Sequence, residues 1–171
     1  MKTFLLFTLA FLSLTSFQSV AQNEISVTPV VMEVDSYVSS LKLTEKNSPS
    51  SFSNAQNVED LVYKLQSSVY FNSGNVKTFG ENPRNFYTDI ASLKGISSAS
   101  LMKKDIEIVI IKINNTNDFN SNIDLSLFSD FYKLKYIYIV SSVNTTEQNI
   151  AKMFRNYDEQ YGIFYKINLG E

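Results

Sequence analysis

A nearly unbroken run of apolar, mostly β-branched residues decides the fold: Ile106-Glu107-Ile108-Val109-Ile110-Ile111-Lys112-Ile113. Such a run is typical of a strand covered on both faces, as strands in parallel sheets are. Two similar runs follow it, Tyr136-Ile137-Tyr138-Ile139-Val140 and Gly162-Ile163-Phe164-Tyr165-Lys166-Ile167-Asn168-Leu169. Their starts lie 30 and 26 residues apart, the spacing of strand–crossover–strand units. We therefore predict an α/β or α+β fold with a small sheet, whose C-terminal half is a parallel β-α-β-α-β unit with helices packed on it.

Both crossovers between these strands carry signals for helical turns. The second contains Thr145-Thr146-Glu147-Gln148, which matches a capping box, and we expect a helix from about residue 146 to residue 159. Its apolar stripe is Ile150, Met153, Phe154 and Tyr157. In the first crossover, Asp124 is placed to cap a short turn. The inward-facing residues of that turn are Leu125, Phe128 and Phe131.

The N-terminal half is less regular. Residues 25–34 are β-branched and partly alternating, which predicts a strand that residues 41–43 continue as a meander. Residues 44–56 are rich in Ser, Asn and Lys, and we interpret them as a mobile loop. Apolar residues at helical spacing predict a helix over residues 58–68, and Asn72-Ser73-Gly74-Asn75 predicts a turn.

The first 21 residues have the form of a secretory signal peptide. Lys2 supplies the positive charge, a short apolar segment follows, and Ser19-Val20-Ala21 places small residues at a cleavage site before Gln22. The apolar segment is shorter than a membrane-spanning helix requires. We therefore expect a single mature domain, residues 22–171, in the periplasm or secreted, with no membrane span after cleavage.

Two absences restrict the chemistry. The chain has no Cys, so it forms no disulfide, and it has no His, which removes the usual base of Ser and Cys nucleophiles and the commonest transition-metal ligand. Its formal net charge is only −2, which is typical neither of a nucleic-acid partner nor of a protein that binds anionic membranes. We predict no cofactor.

Two resemblances concern the C-terminal third. Residues 134–139 (Leu-Lys-Tyr-Ile-Tyr-Ile) resemble the strand pattern of leucine-rich repeats, and residues 164–169 resemble it more loosely. Residues 136–142, 146–150 and 163–167 resemble the tails of small, uncharacterised exported proteins of Bacteroidetes. The second resemblance implies an exported bacterial protein and carries no activity with it.

One loop has oxygen-bearing side chains at every second position, as the start of a calcium loop has: Asp118, Asn120, Asn122 and Asp124. A calcium loop also has a Gly at its sixth place and a Glu at its twelfth, where this chain has Ile123 and Ser129. The alternative is a polar loop that ends in a helix cap.

Aromatic residues suggest a binding surface on the predicted sheet. Tyr136 and Tyr138 point to one face of their strand, and Tyr165 on the neighbouring strand would extend them into a ladder. An exposed ladder would be a flat platform for a protein, a peptide or a sugar. The alternative is that helices cover it.

The function that these observations favour is a non-enzymatic, exported binding or interaction module, whose partner is another exported or cell-envelope protein. The alternative is a small hydrolase that acts on cell-envelope glycan through Asp and Glu alone. Its candidate acids are Asp105, Glu107, Asp158 and Glu159. A hydrolase requires two carboxyl groups with raised pKa values in one pocket, whereas a binding module requires an exposed aromatic patch. The oligomeric state is left open.

Overall fold

The computed structural model describes residues 28–46 and 54–170 of the chain. The predicted signal peptide and residues 47–53 of the predicted loop lie outside these ranges. The strands are β1 (Val31–Glu33), β2 (Ser68–Asn72), β3 (Asn75–Phe79), β4 (Asn85–Asp89), β5 (Ile108–Ile113), β6 (Ile123–Asp124), β7 (Tyr136–Ser141), β8 (Phe154–Arg155) and β9 (Gly162–Ile167). The α-helices are α1 (Val34–Glu45), α2 (Asn54–Tyr63) and α3 (Glu147–Ala151). The 3₁₀ helices are η1 (Ile90–Ser98), η2 (Thr116–Asn120) and η3 (Leu125–Phe128).

Seven strands form one sheet in the order β1-β9-β7-β5-β4-β2-β3, and β6 pairs with β8 in a second, two-stranded sheet. Every neighbouring pair in the main sheet is parallel except the hairpin of β2 and β3. The predicted α/β class is therefore confirmed, as is the parallel pairing of the three late apolar runs in β5, β7 and β9. None of the helices in the described ranges is long and apolar enough to cross a membrane.

The main sheet buries both of its faces against different layers. On one side, which we call the crossover face, Val109, Ile111 and Ile139 pack with residues of η1, η3 and α3. On the other side, which we call the helical face, Ile110, Tyr138 and Phe164 pack beneath α1 and α2. Because both faces are buried, the strand sequences are continuously apolar and do not alternate between apolar and polar residues.

The first predicted strand and meander are wrong in extent. Within residues 28–34, the described part of the predicted strand, Val31–Glu33 form a strand and Val34 begins α1; residues 41–43 also lie in α1. Val34, Val38 and Leu41 recur at i, i+4 and i+7, and the helical face collects them along one side of α1. The Glu33 side chain accepts a hydrogen bond from the Asp35 amide (2.8 Å) and so starts the helix directly after β1.

The helix predicted over residues 58–68 is displaced toward the N-terminus. It begins at Asn54, where the Glu45 side chain accepts a hydrogen bond from the Ala55 amide (3.1 Å), and it ends at Tyr63. Residues 44–45 and 54–56 of the predicted loop are helical. Ser68 already belongs to β2, because strand pairing with β3 and β4 satisfies the backbone there.

The crossovers follow the prediction in part. Thr146, not Thr145, caps α3 by accepting a hydrogen bond from the Asn149 amide (3.3 Å), and the helix ends at Ala151 rather than near residue 159. Beyond it the chain turns into β8, because the Met153 carbonyl accepts from the Ile123 amide (2.7 Å) and strand pairing follows. In the first crossover the helical turns η2 and η3 are both 3₁₀, and the short strand β6 lies between them. The predicted cap at Asp124 is confirmed, and the turn buries the three predicted residues Leu125, Phe128 and Phe131.

Candidate ligand-binding groove

The predicted tyrosine ladder does not form. Tyr136 and Tyr138 lie on the helical face and are only 5% and 7% exposed, beneath α1, whose Tyr37 stacks on Phe164 with ring centroids 4.8 Å apart. Tyr165 pairs in register with Ile139, so it points to the opposite face, where it is 9% exposed. The helices cover this part of the sheet, as the alternative reading expected.

The residues of the predicted calcium loop are used to shape turns. The Asp118 carboxylate accepts hydrogen bonds from the Asn114 and Asn115 amides (2.8 and 3.2 Å) and completes a capping box for η2. Asp124 accepts from the Ser126 amide and from the Asn156 side chain (3.0 and 2.8 Å). Asn120 ends η2 and Asn122 precedes β6. Among the described residues, no group of three or more His, Cys, Asp or Glu side chains could hold a metal ion.

Two of the carboxyl groups proposed for hydrolysis, Asp105 and Glu107, have lowered rather than raised pKa values. Asp105 pairs with Lys133 (2.6 Å) and Glu107 pairs with Arg84 (2.7 Å). Hydrogen bonds from these partners hold the pKa of Asp105 low, and they outweigh burial to do the same for Glu107. Asp158 accepts hydrogen bonds from Gln160, and Glu159 follows it in a surface turn. A general acid in a glycosidase requires a raised pKa instead.

A groove of about 1250 Å³ lies at the β2–β3–β4 end of the sheet, on the helical face. We call it the hairpin groove. Its lining residues are Val62, Tyr63, Lys64, Leu65, Gln66, Ser68, Tyr70, Asn72, Asn75, Val76, Lys77, Phe79 and Tyr87. Helix α2 ends at Tyr63 and leaves this part of the sheet without a helical cover, so the groove is the uncovered continuation of the helical face.

The hairpin owes its shape to its turn residues. Ser73 and Gly74 both have positive φ angles (50° and 80°), as a two-residue type I′ turn requires, and Asn72 pairs with Asn75 across it. Gly80 also has a positive φ (78°) where the chain leaves β3 and passes close to Ser67. Backbone conformations that favour glycine therefore fix both ends of β3.

Aromatic side chains form the floor of the groove. Tyr70 and Tyr87 stack with ring centroids 4.6 Å apart and planes 7° apart, and Phe79 meets Tyr70 edge to face at 5.5 Å. Tyr70 pairs in register with both Tyr87 and Lys77, so these three side chains lie at one level across the strands. The tyrosines are half-buried, whereas Phe79 is 58% exposed.

Exposed apolar side chains also form the wall of the groove. Leu65, two residues after the end of α2, is fully exposed, and Tyr63, the last residue of the helix, is 53% exposed. The Tyr63 hydroxyl donates a hydrogen bond to Asp35 (2.8 Å), and Lys166 lies over its ring at 5.9 Å. Partial burial and the hydrogen bond to Asp35 raise the pKa of Tyr63 to about 12, so its hydroxyl is neutral at physiological pH.

The charge of the groove is one-sided. Its lining includes Lys64 and Lys77 but no Asp or Glu, although the whole chain is net negative. Lys64 pairs with Asp60 of α2 at 2.7 Å. In the part of the chain that the structure describes, Lys77 belongs to no salt bridge. The groove therefore combines apolar surface with an uncompensated positive charge.

A polar network holds the groove wall against the sheet. Arg84 donates to Glu107 (2.7 Å), to buried Asn57 of α2 (2.7 Å) and to Gln66 of the groove (3.4 Å). Gln66 in turn donates to the Asp60 carbonyl (2.8 Å). Burial alone would raise the pKa of Glu107, but hydrogen bonds from Arg84 and Asn57 outweigh it and hold the pKa below its usual value. The network thus ties the end of α2 to the strand ends beneath it.

The sequence contained a signal for this groove that the strand prediction did not use. Residues 68–72 (Ser-Val-Tyr-Phe-Asn) and 75–79 (Asn-Val-Lys-Thr-Phe) flank a predicted turn with a glycine, which is the pattern of a β-hairpin. The hairpin places Tyr70, Lys77 and Phe79 on one face. This face stays open because of where α2 ends, and that position could not be predicted from the sequence without knowledge of the fold.

A scan against protein-family models, a search of curated proteins and a search of solved structures each gave no match to this chain.

Proposed function

We propose that this chain is a non-enzymatic binding module that holds its ligand in the hairpin groove. The observation that carries the proposal is the groove itself, a cavity of about 1250 Å³ with an aromatic floor and an exposed apolar wall. Large apolar side chains exposed together are typical of interaction surfaces. Tyr63, Leu65 and Phe79 form such a set here.

The groove also indicates the chemistry of its ligand. Apolar area drives association without direction, and Lys77 selects for an anionic group at one point. The side chains of Gln66, Asn72 and Asn75 add hydrogen-bonding amides at the border. A ligand with apolar and anionic groups therefore matches this surface best.

The alternative of an Asp/Glu hydrolase has less support. The carboxyl groups with shifted pKa values in the described ranges are Asp60, Asp105, Glu107 and Asp124, and each is shifted downward by hydrogen bonds or ion pairs. Lowered pKa values favour the charged form, which serves ion pairing and turn capping rather than proton donation. The groove lining contains no carboxyl group.

Export remains part of the proposal. The leader over residues 1–21 and the likeness to exported Bacteroidetes proteins support a periplasmic or secreted location. A chain without cysteine folds without an oxidation step in that compartment. The partner we propose is another exported or cell-envelope protein that presents an apolar, acidic segment.

An anionic, apolar dye tests the groove before its natural ligand is known. The probe is 8-anilinonaphthalene-1-sulfonate, whose rings match the apolar floor and whose sulfonate matches Lys77. We expect saturable binding to the folded protein and a roughly fivefold weaker affinity for Phe79→Ser. The matched control is Tyr132→Ser, because Tyr132 is 83% exposed but lies outside the groove.

Near-UV circular dichroism of each variant establishes that the dye reports a folded protein rather than a loosened core. Weaker binding by Phe79→Ser together with unchanged binding by Tyr132→Ser supports the proposal. Absence of saturable binding, or equal losses in both variants, overturns it.

A further inference from the structure

We propose that the hairpin groove takes an extended, acidic peptide segment of a partner protein, which adds to the sheet as an eighth strand beside β3. This inference rests on the proposed function and names the partner class and the binding mode. Its first support is that β3 ends the sheet: it pairs with β2 on one side, and the described ranges contain no strand on the other. All five of its residues are exposed.

The backbone of β3 presents hydrogen-bonding groups to that open side. Alternate residues of an edge strand direct their N–H and C=O groups away from the neighbouring strand. The two-residue turn makes Asn72 and Asn75 a hydrogen-bonded pair, and such pairs alternate along the hairpin. The backbone N–H and C=O groups of Val76 and Thr78 therefore point away from β2, toward the open side. An added peptide satisfies these groups, as in the binding mode called β-strand addition.

Side chains beside this edge fit an alternating peptide. Asn75, Lys77 and Phe79 project on the groove side, since each is paired with a β2 residue on that side. An extended segment in register would place every second side chain next to them, over the open floor of the groove. Apolar side chains would contact Phe79, and an acidic one would meet Lys77.

Charge argues for a partner chain and against a second copy of this protein. In a symmetric antiparallel pairing of two β3 strands centred on Lys77, the two lysines would lie directly opposite one another. Like charges in that position are unfavourable, and a central lysine is a common device against edge-to-edge association. An acidic segment turns the same lysine into an attraction.

The opposite edge of the sheet offers no comparable site. Its strand β1 has only three residues and passes directly into α1. Its buried and half-buried side chains contrast with the fully exposed β3. Of the two edges of the main sheet, β3 is therefore the one that suits strand addition.

The test uses the full mature chain and three synthetic peptides, each acetylated and amidated. The first alternates Thr with Phe, Glu and Phe, in the order Thr-Phe-Thr-Glu-Thr-Phe-Thr. The second carries Lys in place of the Glu, and the third carries backbone N-methyl groups on alternate residues. We expect the Glu peptide to bind roughly tenfold more tightly than the Lys peptide, and Lys77→Glu to reverse that preference. Lys94→Glu, an exposed lysine on η1, is the matched control that leaves it unchanged.

Two further readouts address the backbone. Thr78→Pro removes an outward N–H and is expected to abolish binding of the Glu peptide, whereas Thr78→Ala keeps it. The N-methylated peptide is expected not to bind when its methyl groups face β3, and this readout needs no change in the protein. Hydrogen exchange at the Val76 and Thr78 amides should slow when the Glu peptide is bound.

The outcomes distinguish two claims: that the hairpin groove is the ligand site, and that the ligand adds to the sheet as a strand beside β3. Glu-peptide binding that persists with the N-methylated peptide and with Thr78→Pro, but weakens in Phe79→Ser, overturns strand addition and leaves the groove as the ligand site. Absence of peptide binding while the dye still binds also overturns strand addition alone. Loss of dye and peptide binding together overturns both. Concentration-dependent dimers that Thr78→Pro abolishes would assign the edge to a second copy and overturn the partner class.

Discussion

Tyr70 and Tyr87 stack across adjacent strands with their ring planes 7° apart, and this pair marks the point where the helix-covered core becomes an open groove. In register, Tyr87 pairs with Ile110, which in turn pairs with Tyr138 beneath the helices. One face of each ring lies against the other ring, and Phe79 meets Tyr70 edge to face.

Removing one ring of this pair should destabilise the sheet end. We expect Tyr87→Ala to lower the free energy of unfolding by about 2 kcal/mol, because the half-buried ring loses both its burial and its stack on Tyr70. Tyr87→Phe is the control: it keeps the ring and removes only the contact with the Asn85 side chain (3.3 Å). Urea unfolding measures both variants. Equal losses would show that the hydroxyl, not the stack, holds this region.

Alanine substitutions at Gly74 and Gly80 should destabilise the protein to different extents. Gly74 and Gly80 have nearly equal φ angles (80° and 78°), so either alanine variant adopts a strained backbone, at about 1 kcal/mol. A Cβ at Gly74 would meet open space, whereas one at Gly80 would meet the Ser67 Oγ and lie 2.9 Å from the Ser67 Cβ. Gly80→Ala should therefore lower the melting temperature more than Gly74→Ala. The reverse order would contradict the path given to the chain after β3.

Glu107 should make stability depend on pH in the acid range. Its pKa is lower in the folded protein than its ordinary value of 4.5, so its contribution is present above about pH 4.5 and is lost as the pH falls through the folded value. Glu107→Gln should cost about 2 kcal/mol at pH 7, because Arg84 keeps its half-buried position without a charged partner.

The difference between Glu107→Gln and the wild type should shrink below pH 4, as followed by urea unfolding at a series of pH values. Asp130→Asn is the matched control, since Asp130 is 72% exposed in its contact with Lys103, and its effect should be much smaller. A gap between Glu107→Gln and the wild type that stays constant from pH 7 to pH 3 would contradict the ionised Glu107–Arg84 pair.

Processing of the leader is a separate prediction. Expressed with its own N-terminus in a Gram-negative host, the protein should be recovered outside the cytoplasm with Gln22 as its first residue. Ala21→Asp should block the cut, because a charged residue replaces the small one at the cleavage site. N-terminal sequencing measures both. Recovery of wild-type protein that still begins with Met1 would refute cleavage.

Strand prediction from the sequence succeeded where burial is two-sided. β5, β7 and β9 are flanked by helices or 3₁₀ turns on both faces, and each reads as a continuous apolar run. The short turn capped by Asp124 was predictable because the capping residue and its buried side chains are close neighbours in sequence. Local signals of this kind do not depend on the rest of the fold.

Predictions failed where long-range pairing overrides local preference. The stripe from Ile150 to Tyr157 has helical spacing, yet residues 154–155 form a strand because β6 supplies hydrogen bonds from elsewhere in the chain. The same limit applies to the site: Tyr136 and Tyr138 are aromatic and alternate, as a platform would, but α1 covers them. Tyr70 and Tyr87, by contrast, line the open groove and are only half-buried, because α2 ends at Tyr63.

The resemblance to leucine-rich repeats and to exported Bacteroidetes proteins stays a prediction. Five parallel strands lie side by side in the main sheet, and their order across the sheet is the same as their order along the chain: β2, β4, β5, β7 and β9. The buried side chains of η1, η3 and α3, which lie in the connections between these strands, pack on one face.

Amide chemical shifts of the isotope-labelled mature chain, followed during titration with the Glu-bearing peptide, test the central claim most directly. The account predicts saturable shifts that concentrate on β3, on Tyr70 and Tyr87, and on the end of α2 from Tyr63 to Gln66. Shifts that instead cluster around exposed Tyr132, or a spectrum that the peptide leaves unchanged while the dye also fails to bind, would contradict a ligand site at the hairpin.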